Sequence, residues 1–413
     1  MLKNYFKIAI AVLKRRKFFT FISLFGISFT LTILIVLTAF IDHLVSPSYP
    51  DINRNRELFI NVVELKSSKG GGTLRSPLSL SFFHDHVAKI KIPVKLALYA
   101  GNMTTNAYQN GKKIVIEFKY TNSEYWDVYQ FDFIEGKAFS RQQMVNADKV
   151  AIISEETRAK YFGEGVPALG KYFEASNVNY RVVGVVKSVS YLNFNCFADV
   201  YFPNSLFPDN IEQTQLRGEY DATVLLNDKK DLPVFQEELK RLMKRIPYKD
   251  KELDLVYVFA DSYMASFTRQ IFGEAERNGE TEAMSIIAGL IIFFMLLPTI
   301  NLVNINVSRI MERSSEIGVR KAFGASSKTL TYQFIVENLI LTLFGGALGL
   351  TFSAIVIEIL NRMQLAPNMY LSINLTVLFY SLVACLVFGL FSGVYPAWRM
   401  SKLNVVNALK TNN

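Results

Sequence analysis

The run FFTFISLFGISFTLTILIVLTAFI, residues 18–41, carries no charged side chain over 24 residues. An α-helix rises 1.5 Å per residue, so about 20 apolar residues cross the ~30 Å hydrocarbon core of a bilayer. The run is therefore predicted to form a transmembrane helix. It is about twice as long as the apolar region of a signal peptide, and no small-residue cleavage site follows it, which predicts an uncleaved anchor.

Three further apolar runs of similar length follow much later in the chain. They are residues 284–307, 332–360 and 374–396. None carries Lys or Arg in its middle, where a cation would cost ~2.5–3.5 kcal/mol on insertion. The fold class predicted is therefore an α-helical membrane protein with four transmembrane helices and a large soluble domain, residues 42–283, between the first and second.

The basic residues beside these runs predict the orientation of the chain. The N-terminal tail holds Lys3, Lys7, Lys14, Arg15, Arg16 and Lys17 and no acid. Residues 308–331 and 397–413 are also basic, whereas the connection between the third and fourth runs holds only Arg362. Because Lys and Arg concentrate in cytoplasmic loops, both termini and the 308–331 loop are predicted to be cytoplasmic. Residues 42–283 are then extracytoplasmic.

The same distribution explains the net charge of +9. A basic chain suggests a nucleic-acid partner, but the three cytoplasmic segments together carry more positive charge than the whole chain. No nucleic-acid partner is therefore predicted. In residues 1–17, apolar positions recur at helical spacing between lysines, which predicts an amphipathic helix against membrane lipids. A basic flank without an interfacial role is the alternative.

The extracytoplasmic segment alternates between strand and helix patterns. Strands are predicted at 57–65, 112–120, 222–226 and 255–259, and helices at 78–90 and 231–245, in an order that suggests β-α-β units. Between them, strands at 150–154 and 180–186 surround a helix at 155–162. These patterns predict an α+β domain with an inserted β-rich lobe. Residues 262–283 lack proline and are predicted to form a helical stalk that continues into the second span.

Motifs for chemistry are weak. Gly165, Gly170 and Lys171 match the spacing of a P-loop, but Tyr172 replaces the Ser or Thr that would bind Mg²⁺. His84 and His86 have no second ligand cluster at a useful spacing, so no metal site is predicted. Cys196 and Cys385 are expected to be free thiols. No catalytic residues and no directly bound cofactor are predicted.

Two features inside the predicted spans attract attention. Glu337 is an acid about six residues into the third span, where it is a functional candidate. It is expected to pair with a loop cation or face a partner helix, and snorkelling to the interface is the alternative. Gly345, Gly346 and Gly349 give the same span a face of small residues that permits close helix packing.

The loop MERSSEIGVRKAFGASSKTL, residues 311–330, has charged side chains at helical spacings of three and four, and Gly324 suits a helix end. It resembles the loop of MacB/FtsX-type ABC transporter permeases, whose pattern is close to RxxEIGIRKALGAS. In that family the segment is a coupling helix that docks on the ATPase. The resemblance implies an ATPase-coupling role for Glu312, Arg313, Glu316, Ile317, Gly318, Arg320, Lys321 and Gly324.

The resemblance covers most of the chain. FIVENLILTLFGGALGL, residues 334–350, is similar to the third span of the family, and SGVYPAWRMSKLNVVNALK, residues 392–410, to its terminus. Val405 and Asn407 replace the usual Pro and Glu there. Because the chain begins at its first span, it resembles the stand-alone permeases of the type VII ABC superfamily.

The resemblance implies a permease subunit in the bacterial cytoplasmic (inner) membrane. Its partners would be an ABC ATPase subunit, which binds ATP and Mg, and a second permease copy, identical or not. ATP hydrolysis would move the extracytoplasmic domain by mechanotransmission and export an antibiotic, peptide or lipoprotein. A periplasmic adaptor and an outer-membrane channel are left open.

Two other functions compete with export. An FtsX-like transducer would regulate cell-wall hydrolases without transport, although the extracytoplasmic domain here is larger than in typical FtsX-like members. A membrane-anchored enzyme is the second alternative, and the sequence offers no catalytic constellation for it.

Overall fold

The computed structural model describes residues 10–11, 13–15, 17–70, 72–92, 94–109, 111–208, 215–248, 250, 252–274, 277–311, 319, 323, 326–376, 378–380, 382–383 and 386–387. The chain forms two units. The helical unit comprises Met1–His43, Ser285–Leu365 and Tyr370–Asn413, and the α/β unit comprises Leu44–Met284 and Ala366–Met369. The helices are α1 (Lys17–Val45), α2 (Leu80–Asp85), α3 (Tyr125–Val128), α4 (Arg141–Val145), α5 (Glu155–Phe162), α6 (Leu232–Met243), α7 (Tyr263–Phe272), α8 (Glu280–Met311) and α9 (Ser327–Met363).

The strands, all in the α/β unit, are β1 (Glu57–Ile60), β2 (Val63–Lys66), β3 (Thr73–Ser76), β4 (Val94–Gln109), β5 (Lys112–Thr121), β6 (Phe133–Gly136), β7 (Val150–Ser154), β8 (Tyr172–Ala175), β9 (Val178–Val186), β10 (Val200–Pro203), β11 (Asp221–Leu226) and β12 (Leu255–Val258).

Among the described residues, two helices are long and apolar enough to cross a membrane, Lys17–Val45 and Ile335–Met363. The first contains the first predicted span, and the second covers residues 335–360 of the third. The second predicted span lies within the 32-residue helix α8. Most of the fourth, residues 374–396, most of the predicted amphipathic helix and all of the C-terminal tail lie outside the described residues. Helix α9 begins where Ser326 Oγ accepts a hydrogen bond from Thr329 N at 3.2 Å, an N-cap that the span pattern does not mark.

The α/β unit contains a large sheet and a small one. The large sheet has the order β1-β11-β4-β5-β10-β7-β9-β6, with β8 beside β9. The small sheet has the order β12-β2-β3. The strands of the predicted insertion, β6 to β10, continue the large sheet through the parallel pair of β5 and β10. Within it, β7, α5 and β9 form a β-α-β unit with parallel strands.

Two predictions about the strands need correction. The single strand expected at 57–65 is two strands, β1 and β2, which belong to different sheets. The strands expected to flank a β-α-β unit around residues 222–259 are β11 and β12, and these also lie in different sheets. Local alternation of apolar residues does not distinguish the two arrangements, because pairing partners lie far away in sequence.

Both faces of the large sheet are buried. In β4, Leu98 and Ala100 contribute to one apolar cluster, whereas Ala97 and Tyr99 contribute to the other. This alternation is the two-residue period of a strand with a core on each side. Trp126 packs in the second cluster against Phe131, Phe133, Phe139 and Tyr201, with ring centroids 5.1–5.7 Å apart. Aromatic burial of this kind contributes much of the stability of such a core.

The predicted continuous stalk is interrupted. Helix α7 ends before Gly273, a β-bridge joins Glu274 and Arg277, and α8 starts at Glu280. A methyl group on Gly273 would lie 2.6 Å from Arg269 Cα, and Gly279 has φ +75°. These two glycines permit a tight connection that other residues would strain, so the prediction of one helix over 262–283 was wrong.

The P-loop-like segment follows helix α5 and precedes strand β8. This order is the reverse of the strand-loop-helix arrangement that holds a phosphate. Cys196 is a buried free thiol, and Cys385 lies outside the described residues.

Candidate functional site

A stripe of residues four apart forms the buried face of α9. Its members are Gln333, Glu337, Leu341, Gly345, Gly349, Ser353 and Ile357. Helix α1 has a matching stripe, Ser23, Ile27, Leu31, Ile35 and Ala39. Rows of residues four apart are the ridges by which two helices interdigitate. The helical unit is therefore built on close packing between these two faces.

Two of the three predicted glycines form the closest contact of this pair. A methyl group on Gly345 would lie 2.6 Å from Ile27 Cγ2, and one on Gly349 would lie 2.9 Å from Leu31 Cβ and 3.0 Å from Ser28 O. Thr32 Oγ1 donates a hydrogen bond to Gly349 O at 3.2 Å. Gly346 differs, because a methyl group there would lie 3.7 Å from Leu382 Cδ2, an ordinary contact.

Gly349→Ala is expected to destabilise the helical unit by about 1–3 kcal/mol, the usual cost of overpacking a close contact. The neighbouring backbone oxygen of Ser28 cannot move aside as a side chain can. The measurement is the thermal unfolding midpoint of the purified full chain in one detergent, followed by helical circular dichroism. Gly346→Ala is the matched control and should change the midpoint little. Equal effects of the two variants would contradict the packing assignment.

Glu337 lies within the same buried face and is 2 % exposed. Gln333, one turn earlier, is 5 % exposed. A carboxylate that snorkels to the interface would be exposed, so the burial of Glu337 argues against that alternative. The acid instead belongs to the packed interior of the helical unit.

The predicted coupling residues lie outside the described part of the chain. These are Glu312, Arg313, Glu316, Ile317, Gly318, Arg320, Lys321 and Gly324. Their role as a coupling helix stays a prediction.

A buried arginine holds the chain where it leaves α1. Arg54 is 7 % exposed, and its Nη1 donates to the carbonyls of Val45 at 3.0 Å and Ser46 at 2.9 Å. Its Nε donates to Asp51 Oδ2 at 2.8 Å. The guanidinium carbon lies 3.7 Å from the ring centroid of Tyr263, the first residue of α7. A cation at the C-terminal carbonyls of a helix is favoured by the helix dipole. We refer to this contact set as the first joint.

An acid pair completes the first joint. Asp51 and Glu57 are 0 % and 1 % exposed, and Asp51 Oδ1 and both carboxyl oxygens of Glu57 have no donor among the described residues. Burial, and then the charge of Asp51, raise the pKa of Glu57 well above its usual value. A proton on Glu57 therefore supplies the missing donor between the two acids.

Glu57→Gln is expected to flatten the pH dependence of stability of the α/β unit. Glu57 stays protonated in the folded state. The stabilisation that this bound proton gives is complete below the usual carboxyl pKa, and it is lost as pH rises towards the raised pKa of Glu57. The loss is up to about 1.4 kcal/mol per pH unit. The free energy of unfolding of wild type should therefore fall from pH 5 to 9 relative to that of Glu57→Gln.

Trp126 fluorescence gives the measurement for this pair, in a Trp398→Phe background that leaves one tryptophan. Glu124→Gln is the control for removing a carboxylate that is not fully buried. If the free energies of unfolding of Glu57→Gln and wild type change in parallel over this pH range, Glu57 is ionised in the folded protein.

A second buried arginine holds the chain between α7 and α8. Arg269 is 6 % exposed, and its Nη2 donates to Asp261 Oδ1 at 2.9 Å while its Nε donates to Asp261 Oδ2. Its Nη1 donates to the carbonyls of Glu274 at 3.1 Å and Arg277 at 3.3 Å. The guanidinium carbon lies 3.6 Å from the ring centroid of Phe259. We refer to this contact set as the second joint.

Further bonds strengthen the second joint. Thr268 Oγ1 donates to Asn278 O at 2.9 Å, and Arg75 Nη2 donates to Gly273 O. Asp261 is itself bonded to β1, with Phe59 N donating to Asp261 O at 2.8 Å and Asp261 N donating to Phe59 O at 2.9 Å. The connection to α8 is thus fixed to the first strand of the large sheet.

The segment Ala366–Met369 also belongs to the α/β unit. Asn368 Nδ2 donates to Glu156 Oε2 at 2.8 Å, and Tyr191 N donates to Pro367 O at 3.0 Å. These residues follow α9 directly in the chain. Three chain segments adjacent in sequence to long helices are therefore fixed within the α/β unit by polar contacts.

Sequence reasoning identified two glycines of the α9 stripe, Gly345 and Gly349, and missed both joints. Arg54 and Arg269 lie in polar stretches whose composition resembles that of any surface. The three-residue spacing of Asp51 and Arg54 is the signal available for the first joint, and such spacings are common in exposed helices. Asp261 and Arg269 are eight residues apart, a spacing that carries no signal.

Two family profiles match the chain. The profile of the MacB-like periplasmic core domain matches residues 20–242, and that of the FtsX-like permease C-terminal region matches residues 288–405. The chain is 27 % identical over 321 residues to the macrolide export ATP-binding/permease protein MacB of Salmonella typhimurium, covering 76 % of this chain and 45 % of that protein. It is 23 % identical over 318 residues to the pyoverdine export ATP-binding/permease protein PvdT of Pseudomonas entomophila, covering 76 % and 44 %. The chain thus spans less than half the length of these relatives.

Solved structures of similar domains are known. The periplasmic region of MacB from Actinobacillus actinomycetemcomitans is 16 % identical and aligns with a TM-score of 0.37 over 52 % of this chain and 93 % of that one. The extracellular domain of the transporter YknZ from Gram-positive bacteria is 18 % identical and aligns with a TM-score of 0.37 over 49 % of this chain and 99 % of that one.

Proposed function

Since this chain belongs to the family of ABC transporter permeases with a MacB-like periplasmic core domain and an FtsX-like C-terminal region, we propose that it transmits force. ATP hydrolysis by an ABC ATPase moves the long helices, and the α/β unit moves with them. The chain itself binds no nucleotide in this scheme, and ATP and Mg are held by the ATPase.

The two joints are the observation that carries the proposal. A displacement of a membrane helix does work on a soluble domain only if the connecting chain is stiff. Arg54 and Arg269 each hold two or more backbone carbonyls and a buried carboxylate beside a helix end. Charge-assisted bonds of this kind are shorter and stronger than neutral ones, so they make the connections resist bending.

Membership of the family supports three proposed partners. The loop at 308–331 is proposed to dock on the ATPase through the charged face that includes Glu316 and Arg320. A second permease copy, identical or not, completes the transporter. The assembly is proposed to lie in the cytoplasmic (inner) membrane with both termini and the coupling loop in the cytoplasm, and a periplasmic adaptor and outer-membrane channel are its candidate further partners.

Export is the proposed outcome of this motion, with an antibiotic, a peptide or a lipoprotein as cargo. The named relatives are a macrolide export protein and a pyoverdine export protein. These names favour export over the transducer function, in which no cargo moves.

Charge reversal in the coupling loop tests the proposal. The double variant Glu316→Lys/Arg320→Glu is expected to reduce co-purification of the ABC ATPase encoded beside this chain at least tenfold, because a docking helix loses its complementary charges. Bound ATPase and ATP turnover are measured in nanodiscs. Arg362→Glu, in the connection predicted to be outside, is the matched control and should retain the ATPase. Failure of wild type to bind any ATPase, or equal retention by the loop variant, would refute the coupling role.

A further inference from the structure

A cavity of about 320 Å³ lies in the α/β unit, between the large sheet and helix α7. Its lining includes amides, a hydroxyl, aromatic rings and two charged groups: Asn61, Tyr99, Lys119, Asp221, Ser266 and Gln270. Small-molecule sites typically combine aromatic walls with a small number of polar groups that point into the cavity, and a cavity of this volume suits a small ligand.

Lys119 is the unusual member of this lining. It is 1 % exposed, and its Nζ donates to Phe194 O at 2.9 Å. Burial lowers the pKa of Lys119 to about 8. Lysine is rarely buried to this extent, because desolvating an ammonium group is costly. An apolar side chain of similar length would fill the same space at a lower cost, so the cation needs an explanation other than packing.

The backbone is adapted to this side chain. A methyl group on Gly101 would lie 2.5 Å from Lys119 Cγ, so residue 101 must be glycine for the lysine to occupy its position. The pairing of β4 with β5 shifts register between Ala100 and Met103. Such a bulge redirects side chains and is frequent beside functional sites.

Asp221 supplies the opposite charge on the other side of β4. It pairs with Tyr99 in the register of β11 with β4, whereas Lys119 lies on β5. Strand β4 therefore lies between the two charged residues, and their backbones are two strand spacings, or about 10 Å, apart. Burial raises the pKa of Asp221 to about 7, although the charge of Lys119 opposes the shift.

We propose that this cavity binds a small zwitterionic ligand of the amino-acid or short-peptide class, with its carboxylate at Lys119 and its ammonium at Asp221. A simple anion would meet the carboxylate of Asp221, and a simple cation would meet Lys119, so each is disfavoured relative to a ligand that carries both charges. Asn61, Ser266 and Gln270 offer hydrogen bonds to a peptide group, and Tyr99 offers an apolar wall. The inference goes beyond force transmission, since it requires no ATPase.

Three related probes test it on the wild-type full chain in detergent, without ATPase. The probes are Ala-Ala, its N-acetyl derivative, which lacks the ammonium, and its C-terminal amide, which lacks the carboxylate. Calorimetric titration is expected to show binding of Ala-Ala and at least tenfold weaker binding of each blocked form. Absence of binding at millimolar Ala-Ala, or equal affinity for the three probes, would overturn the proposal.

Variants assign the two charges. Lys119→Met should lose the discrimination between Ala-Ala and its amide, and Asp221→Asn should lose the discrimination between Ala-Ala and the N-acetyl form. Lys113→Met, an exposed lysine on the same strand, is the control and should bind as wild type does. Trp126 fluorescence verifies that each variant is folded. Folded Lys119 and Asp221 variants that both keep the wild-type discrimination would also overturn the assignment, whatever the outcome of the ATPase experiment.

Discussion

Replacing Arg269 by Met is expected to destabilise the α/β unit by about 3–5 kcal/mol, the cost of leaving one partner of a buried ion pair uncompensated. Asp261 has an 11 % exposed side chain and would lose its two bonds to the guanidinium. The carbonyls of Glu274 and Arg277 would also lose their bonds from the guanidinium and keep the backbone bonds that join the two residues. Methionine retains much of the length of arginine, so the effect reports on charge and hydrogen bonding more than on volume.

The measurement is thermal unfolding of the full chain followed by Trp126 fluorescence in the Trp398→Phe background. A loss of 1 kcal/mol shifts the midpoint by about 2–4 °C for a domain of this size, so a shift on the order of 10 °C is expected. Arg241→Met is the matched control. Arg241 pairs with Glu238 at 2.8 Å but is 59 % exposed, and such pairs contribute about 0–1 kcal/mol.

Asp261→Leu combined with Arg269→Met sharpens this test. If the single variant suffers mainly from an uncompensated carboxylate, the double variant should recover part of the lost stability. If the loss of unfolding free energy in the double variant equals the sum of the losses in the two single variants, the contribution of Arg269 would instead come from packing. A shift for Arg269→Met no larger than that for Arg241→Met would refute the joint.

Arg54→Met is the second large effect, also expected to cost about 3–5 kcal/mol. It removes the donor from the carbonyls at the end of α1 and leaves Asp51, which is fully buried, beside Glu57. Since Glu57 keeps its proton in the folded protein, the variant leaves the charge of Asp51 buried without a compensating cation. Thermal unfolding at pH 6 and pH 8, with the same fluorescence probe, measures the loss at each pH.

Two companion variants define the first joint. Adding Asp51→Asn to Arg54→Met should restore part of the lost stability, because the asparagine amide carries no charge that a cation must compensate. Arg56→Met is the matched control, since Arg56 lies two residues away, is partly exposed and donates to Asn53 Oδ1 at 2.9 Å. Its cost should stay near 1 kcal/mol. Similar costs for Arg54→Met and Arg56→Met would show that the first joint is not a stabilising element.

The two joints give the force-transmission proposal a structural basis. Each is built around one guanidinium whose planar, forked donors satisfy a carboxylate and several carbonyls at once, which a lysine cannot do. In the coupled transporter, Arg54→Lys and Arg269→Lys should therefore reduce transport more than ATPase binding, whereas the coupling-loop variant should reduce binding itself. The two classes of variant separate docking from transmission.

The sequence by itself determined the features that depend on local pattern. Apolar runs of bilayer length predict long helices, and α1 and α9 agree with the first and third of them. Short apolar runs predict β5, β7, β9 and β11 within a residue or two. The spacing of glycines predicts a small-residue face on α9, and Gly345 and Gly349 contact α1 closely whereas Gly346 does not. In each case the deciding interaction is with solvent or lipid, or between residues one or two turns apart.

Only the tertiary structure decided the joints, the sheet assignments and the cavity. Asp261 pairs with Phe59, Tyr263 stacks on Arg54, and Lys119 lies one strand from Asp221. Partners separated by about 100 to 200 residues leave no local periodicity. The break at Gly273 was missed for a different reason: Arg269 binds the carbonyls of Glu274 and Arg277, five and eight residues on, and the absence of proline does not reveal such bonds. Burial of polar groups is decided by which partners the fold brings to them, and a single sequence carries no record of that.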